Sequence, residues 1–592
     1  MSNKMIAALA IAAIVVLAGA GLTWSINHSA MVQTNVDTVS NDTASTGNSD
    51  SMTDGMNMNG GKEQNSAAAT TVNTSLNTHD YAKNLVKPRD GQQIKKFTLI
   101  AKENNLQISK DIKLPVWTYG GSVPGTEIRV TQGDFVQVVL KNELNEPVTI
   151  HWHGYPLLSA MDGVPGINQD SVKPGETFTY EFSADVAGTY WYHSHQESSK
   201  QVDKGLYGAL IVEPNEKLKV DKDFTLILDE WMSDPSGMDE MEGMSDSNNE
   251  SSSDMSGMDM SGSMDKKSSD NSEQGTDKKE SSTASMDGMD MSSDNTQMTE
   301  EEKMAYMYDI YTVNGKSGEL IEPLNVKKGD VVRLRFINAG YRSHGIHIPG
   351  QDIKIVSSDG QDITGAGIIK DQIINIAPGE RYDVEFTVTA DANFIIDAHD
   401  DNAYNDQLQI PVNVEGGSGK TLEESTDSEL PLFDLSSYGT PAAGKFSLKD
   451  QYAVDYNVEL NMMADGNTQK YTINGKVFGE LPALKVKTGD LIKLTYENKS
   501  EVDHPMHLHG HFFQVLAKNG KVVTGGPIMK DTLLIKPGEK YEVAFKADNP
   551  GNWVQHCHEL HHAAGGMMQS VEYTDFKSNY IPDPTNKFNK AE

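Results

Sequence analysis

A chain of 592 residues with a formal net charge of −35 and a single cysteine is long enough for several domains, each with its own core. The acidic balance argues against nucleic acid as a partner and is compatible with cationic or metal ligands. One cysteine excludes an intramolecular disulfide framework, and in an exported chain a lone thiol calls for another use, which metal ligation supplies.

Lys4 precedes an uncharged run from Met5 to Trp24 rich in Ala, Ile, Val and Leu. The run suits a membrane-spanning helix or the core of a signal peptide, and Ala18-Gly19-Ala20 offers a cleavage site. Residues 1–26 are therefore expected to be a signal peptide or membrane anchor, and the protein to be secreted or held at the cell surface. Residues 27–87 are poor in large apolar side chains. They cannot bury enough surface to offset ordering entropy, so a flexible linker is expected there.

Beyond the linker the chain repeats itself. VTQGDFVQVVLKNELNEPVTIHWHG (130–154) recurs as VKKGDVVRLRFINAGYRSHGIHIPG (326–350) and VKTGDLIKLTYENKSEVDHPMHLHG (486–510). A second phrase follows each copy: VKPGETFTYEFSADVAGTYWYHSH from Val172, IAPGERYDVEFTVTADANFIIDAHD from Ile376 and IKPGEKYEVAFKADNPGNWVQHCHE from Ile535. Alternating runs of Val, Ile, Thr, Tyr and Phe, bounded by Gly-Asp, Pro-Gly and Asn-Gly turns, predict an antiparallel β-sandwich in each copy. The expected domains are 88–215, 220–415 and 430–575, all-β throughout.

The pattern breaks between Trp231 and Tyr306. Residues 232–304 hold 13 of the 27 methionines and 19 acidic residues against 5 lysines. Such a segment is expected to be disordered. Thioethers favour Cu(I) and neighbouring carboxylates attract cations, so a role in gathering cuprous ions is expected, against a merely solubilising acidic loop.

The stretch QHCHELHHAAGGM, residues 555–567, carries the chemistry. On a strand Cys557 points to one face and its neighbours His556 and His558 to the other, so one tripeptide can touch two metal centres. His562 and Met567 follow close enough to complete a soft thiolate, imidazole and thioether set suited to copper. The repeats place Ser194 and Ala398 where Cys557 stands, and neither replaces a copper thiolate. The first and last copies also contain four His-x-His pairs: His151/His153, His193/His195, His507/His509 and His556/His558. Residues i and i+2 of a strand face one way, so eight imidazoles can converge between the first and third domains. The middle domain keeps His344, His347 and His399 at ligand-like places without the full set, and a structural or surface role is expected for them.

These motifs resemble those of the multicopper oxidases, across most of residues 90–575. The resemblance implies three cupredoxin-like Greek-key sandwiches and four copper ions: one type 1, one type 2 and a type 3 pair. His504, Cys557, His562 and Met567 match the type 1 set. His151 and His507 match the type 2 ligands, and His153, His193, His195, His509, His556 and His558 match the ligands of the type 3 pair. His561 and His511 match no role. Asp162, in MDGVPG, matches a family carboxylate near the type 2 copper that orients water and relays protons. A second acidic relay position of some relatives is Ala563 here, leaving Glu559 as a weak substitute. Trp152 and Trp191 are expected to pack the sandwich, and Pro505 and Gly510 to shape the loop around the third motif.

The implied activity is one-electron oxidation of a reducing substrate, Cu(I) or small phenols and aromatic amines, coupled to four-electron reduction of dioxygen to water, in copper tolerance. The alternatives are a non-catalytic copper-binding or storage protein and an Mn(II) or Fe(II) oxidase. A copper nitrite reductase needs no type 3 pair. Sequence leaves the oligomeric state and the physiological reductant open.

Overall fold

The structure is a computed structural model that describes residues 82, 85–234, 304, 307–400, 403–421, 430–465, 468–583 and 585–592. The leader at 1–26, nearly all of the linker, and 235–303 of the methionine-rich insertion lie outside the described residues. Among the described residues no helix is long and apolar enough to cross a membrane.

Among the described residues, strands form six sheets in three pairs, and each pair encloses its own apolar core. Strand Thr177–Ser183 shows why: in TFTYEFS, Phe178, Tyr180 and Phe182 are buried while the residues between them face outward or are half-covered. The period of two places the aromatic side chains on the core face. Each sandwich departs from a purely antiparallel plan in the same way. Ile94–Gln107 runs parallel to Phe135–Asn142, and Ile128–Thr131 parallel to Tyr207–Glu213. The later copies repeat both pairings. Parallel neighbours cannot be joined by a hairpin, so the chain crosses between the two sheets in a Greek-key path.

The insertion leaves from a closed point. Strand Lys222–Met232 pairs with Tyr308–Val313, and Met232 lies opposite Tyr308. Met232, assigned to the insertion by composition, is the buried last residue of its strand.

Buried ion pairs tie the middle sandwich to its neighbours. Arg335 reaches Asp223 at 2.7 Å and Asp383 at 3.1 Å, and Asp383 accepts a hydrogen bond from Thr189 of the first sandwich at 2.7 Å. Arg381, fully buried, forms a two-pronged pair with Asp531 of the third sandwich at 2.7 and 2.5 Å. Gly154 makes room for this pair. Its φ is +74°, and a Cβ there would lie 2.3 Å from the Arg381 guanidinium. The carboxyl-terminal residues also pack inward, with Ser171 donating to Asn589 at 2.9 Å and Glu197 to the Lys590 carbonyl at 3.0 Å.

In the middle sandwich His344 occupies the repeat position of His504. It holds no thiolate partner, since Ala398 stands where Cys557 does. Its ring is clamped instead between the carboxylates of Glu230 and Asp400. Burial favours the neutral ring, but the two carboxylates outweigh it and push the imidazole up to about 10. His344 is thus a buried structural cation, in line with the expected non-ligand role. The stability supplied by its proton is fully present below the ordinary imidazole value of 6.5 and is lost as pH rises through about 10. Urea midpoints should therefore fall more steeply from pH 7 to 10 in the wild type than in His344→Gln. Parallel profiles would refute the buried imidazolium.

Candidate metal centre

Strand register assembles the site. In the first sandwich His151–His153 pairs antiparallel with Gly188–His193, and His151 lies opposite His193. In the third, His504–Leu508 pairs with Asn552–Cys557 in the same way: His507 lies opposite His556, and Met506 opposite Cys557. His195, His509 and His558 continue these ladders just past the strand ends. The two ladders face each other, with His153 stacked on His507 at 3.8 Å between ring centres and His151 on His509 at 3.9 Å. All eight rings are buried.

One nitrogen of nearly every ring is engaged by an acceptor outside the cluster. Nδ1 of His151 meets the Asp162 carbonyl at 2.8 Å, that of His193 the Ser194 carbonyl at 2.8 Å, and that of His195 the Ala591 carbonyl at 3.0 Å. On the facing side Nδ1 of His507 meets the Asp531 carbonyl at 3.0 Å, that of His509 the Asp162 carboxylate at 2.9 Å, and that of His556 the Cys557 carbonyl at 2.8 Å. A carbonyl or carboxylate can only accept, so each of these nitrogens carries the proton and the other presents a lone pair. His153 is turned round, with Nε2 near Thr532 Oγ1 at 3.1 Å and Asp531 at 3.3 Å, and Nδ1 left over.

The leftover nitrogens point to a missing cation. Nε2 of His151, His193, His195 and His507, Nδ1 of His153 and both nitrogens of His558 are buried without a hydrogen-bond partner. Nε2 of His509 and Nε2 of His556 lie 3.0 Å apart, lone pair against lone pair, because both Nδ1 atoms are already donors. Burial, reinforced by the neighbouring rings, pulls the pKa of His153, His193, His509, His556 and His558 well down, that of His507 down, and that of His195 to about 3. These imidazoles are therefore neutral at physiological pH and ready to bind metal. Grouped nitrogens meet at three places: His151, His507 and His509; His151, His153 and His193; and His195, His509 and His556. The donor set fits copper ions.

Across the peptide, Cys557 faces its own pocket. Its Sγ lies 3.6 Å from Nδ1 of His504 and 3.6 Å from Nδ1 of His562. Nε2 of His504 is held by the Ser500 hydroxyl at 2.8 Å, and Nε2 of His562 by the Glu559 carboxylate at 3.0 Å. Both Nδ1 atoms thus turn their lone pairs toward the sulfur. Met567 is fully buried, and its backbone closes the pocket: Cys557 N–H donates to the Met567 carbonyl at 3.0 Å, and Met567 N–H to the His562 carbonyl at 3.0 Å. Tyr471 stacks on His562 at 4.0 Å. Burial pushes the Cys557 thiol up, so a metal entering here displaces a proton.

Asp162 spans both sandwiches. Its Oδ2 accepts from Nδ1 of His509 and from Asn168 at 3.2 Å, while Oδ1 lies 3.2 Å from Nδ1 of His151. Glu559 is committed elsewhere than a proton route. It caps the short helix Leu560–Ala564 and pairs with His561 at 2.8 Å and with His562. Burial alone would raise its carboxyl, but His562 and His561 hold it well below the usual carboxylate range. His561, flanked by Glu559, Asp203 and Tyr308, points away from the sulfur pocket. His511 is spent on the His509 carbonyl and the Tyr573 hydroxyl. Trp152 packs among Tyr180, Phe182 and Tyr192 as expected. Trp191 also packs in an apolar cluster, with Val202 and Tyr207, and in addition covers the histidines, 4.4 Å from the His193 ring and 5.0 Å from His153.

Sequence reading missed Asp531, Thr532, Arg381, Ser500 and Glu592. They carry no motif, and apart from Ser500, four residues before His504, they act from 24 or more positions away along the chain. Glu592, with its carboxyl pushed up to about 8 by burial, sits 3.5 Å from Nδ1 of His195.

Family models of multicopper oxidase domains match residues 101–217, 270–416 and 453–576. The chain belongs to the multicopper oxidases. Multicopper oxidase MmcO of Mycobacterium tuberculosis is 29% identical over 464 residues, spanning 77% of this chain and 82% of the relative. A copper resistance protein A homolog of Pseudomonas syringae pv. tomato is 25% identical over 571 residues, spanning 81% and 93%. Fet3p, a multicopper oxidase that functions in iron import, shares the fold with a TM-score of 0.63 at 21% identity, over 83% of this chain and 93% of its own.

Asp531 has a carboxyl that burial would raise, but Arg381 holds it well below the usual range. Removing the cation strands that carboxylate beside His153 and His507. Arg381→Met should destabilise this oxidase by roughly 3–5 kcal/mol in chemical denaturation, and adding Asp531→Asn should recover much of the loss. No recovery would show that the pair is not the coupling.

Proposed function

We propose that this multicopper oxidase holds four copper ions on twelve side chains and couples oxidation of Cu(I), and of small phenols, to reduction of dioxygen. His504, Cys557, His562 and Met567 would hold the type 1 ion. His151 and His507 would hold the type 2 ion, and His153, His193, His195, His509, His556 and His558 the type 3 pair. The reading is carried by the inward lone pairs of a buried histidine cluster joined to the sulfur pocket through one tripeptide. Copper bound there supplies one-electron chemistry, in which four reductant electrons and four protons convert one O₂ to two waters.

The chain's own part is to join, orient and protonate. Cys557 is bonded through the backbone to His556 and His558, and Nδ1 of His556 donates to the Cys557 carbonyl. The two ligand groups are thus joined both covalently and by a hydrogen bond. Asp162 keeps His151 and His509 in the ligating tautomer and is the carboxylate proposed to pass protons at the cluster. The domains 88–215, 220–415 and 430–575 are proposed as the units of this design. The first and third carry ligands, and the second braces them through Arg381.

The relatives named for copper resistance, the soft and acidic insertion, and the apolar leader support an exported enzyme that lowers Cu(I) at the cell surface. Oxygen uptake should occur with Cu(I) and with a dimethoxyphenol, and Cys557→Ser should abolish both along with the blue colour. A colourless copper-loaded wild type, or undiminished turnover in the variant, would overturn the assignment. The strand ends Met232 and Tyr308 face each other, so residues 235–303 can be removed without opening the sheet. That deletion should raise the apparent KM for Cu(I) several-fold and leave the phenol value unchanged. Equal Cu(I) kinetics would assign the insertion a solvating role.

A further inference from the structure

The middle sandwich retains a second set of ligand-type residues at the register of the oxidase cluster. Strand His344–His347 pairs with Phe394–Asp400 so that Ile346 faces Ala398 and His347 faces Asp397. This repeats the third sandwich, where Met506 faces Cys557 and His507 faces His556. His399 follows Ala398 as His558 follows Cys557. The sulfur side of this copy is filled by the His344 imidazolium and its two carboxylates. The opposite side is different: it keeps two imidazoles and exchanges the third for a carboxylate.

Asp397 Oδ1 lies 2.9 Å from Nδ1 of His347 and 3.4 Å from Nε2 of His399. Ligands bound about 2.0–2.2 Å from one tetrahedral ion are separated by about 3.3–3.6 Å, so the His399–Asp397 spacing already matches and the His347–Asp397 spacing must widen. His347, Asp397 and His399 are each at most 2% exposed. Asp371 stands at the mouth, its Oδ1 3.7 Å from Nε2 of His347, with a side chain 46% exposed.

The electrostatics of this pocket are incomplete. Three other buried carboxylates face a cation: Asp531 meets Arg381, Asp383 meets Arg335 and Asp359 meets Lys530. Asp397 meets imidazoles, and its Oδ2 has no hydrogen-bond partner. His347 has an acceptor at each end, Asp397 at Nδ1 and Asp371 beyond Nε2, and Nε2 is buried without a hydrogen bond. Buried carboxylates are paired or coordinate metal, and imidazole with carboxylate is a donor set that suits a divalent first-row ion.

We propose that His347, Asp397 and His399 form a further metal site, separate from the oxidase centre, for a divalent first-row ion of borderline softness, Zn²⁺ or Cu²⁺. Its function is independent of oxygen reduction, and it would cross-brace the two strands of the middle sandwich beside Asp371.

The test uses the copper-loaded full chain, incubated separately with Zn²⁺ or Cu²⁺, desalted and analysed for metal. Beside the wild type stand His347→Ala and the near-isosteric Asp397→Asn, which guards against misfolding of the first variant. The wild type should retain one more ion per chain than both variants in at least one arm, with the blue absorption of the thiolate site equal in all three. In the Cu²⁺ arm the extra ion should add an electron paramagnetic resonance signal with nitrogen couplings that both variants lose. Equal metal content in wild type and Asp397→Asn in both arms would overturn the site, and the oxidase assignment would stand.

Discussion

The oxidase centre depends on where protons are held. Eight imidazoles in one dry pocket form a useful ligand set only if each keeps its proton outside and its lone pair inside. A free imidazole has no such preference, because either nitrogen can be protonated. Here peptide carbonyls at Asp162, Ser194, Asp531, Cys557 and Ala591, with the Asp162 carboxylate, impose it on six of the eight. The inward nitrogens are then short of partners, and the cluster is poised for cations. Protonation cannot relieve the strain, since burial and the neighbouring rings disfavour it.

Five of these six acceptors are backbone carbonyls, and two of them, at Ser194 and Cys557, belong to the ladders that carry the histidines. Nδ1 of His193 bonds the next residue's carbonyl, and Nδ1 of His556 does the same one ladder away. Two sandwiches with equal register thus present the same half-site twice. What aligns the halves is buried charge. Asp162 reaches from the first sandwich to His509, and Arg381 reaches from the second to Asp531 beneath His507 and His153. Among the described residues the middle sandwich adds no histidine to the buried cluster, yet its guanidinium pairs with Asp531, against which His153 and His507 lie.

The threefold repeat shows how one register diverges. Cys557, Ser194 and Ala398 occupy one position with different outcomes. The thiol faces two Nδ1 atoms, the serine hydroxyl donates to Gln201 at 2.7 Å, and the alanine leaves a space beside which His344 becomes an ion. The pairings around all three positions are alike, so the chemistry follows from side chains placed on a common backbone.

Sequence by itself determined the β class, the three copies and the residues able to bind copper, because alternation, turn residues and His-x-His spacing are local properties of a strand. It also exposed the one position with a thiol. It did not reveal the parallel pairings within each sandwich, the burial of Met232, or the engagement of Glu559 by His561 and His562. Nor did it reveal the roles of Asp531, Arg381, Thr532, Ser500 and Glu592. Those depend on contacts between residues up to several hundred positions apart: His195 meets Ala591, and His509 meets Asp162. A proton's side on an imidazole is decided by whichever acceptor folding brings alongside, and no spacing along a chain encodes that neighbour.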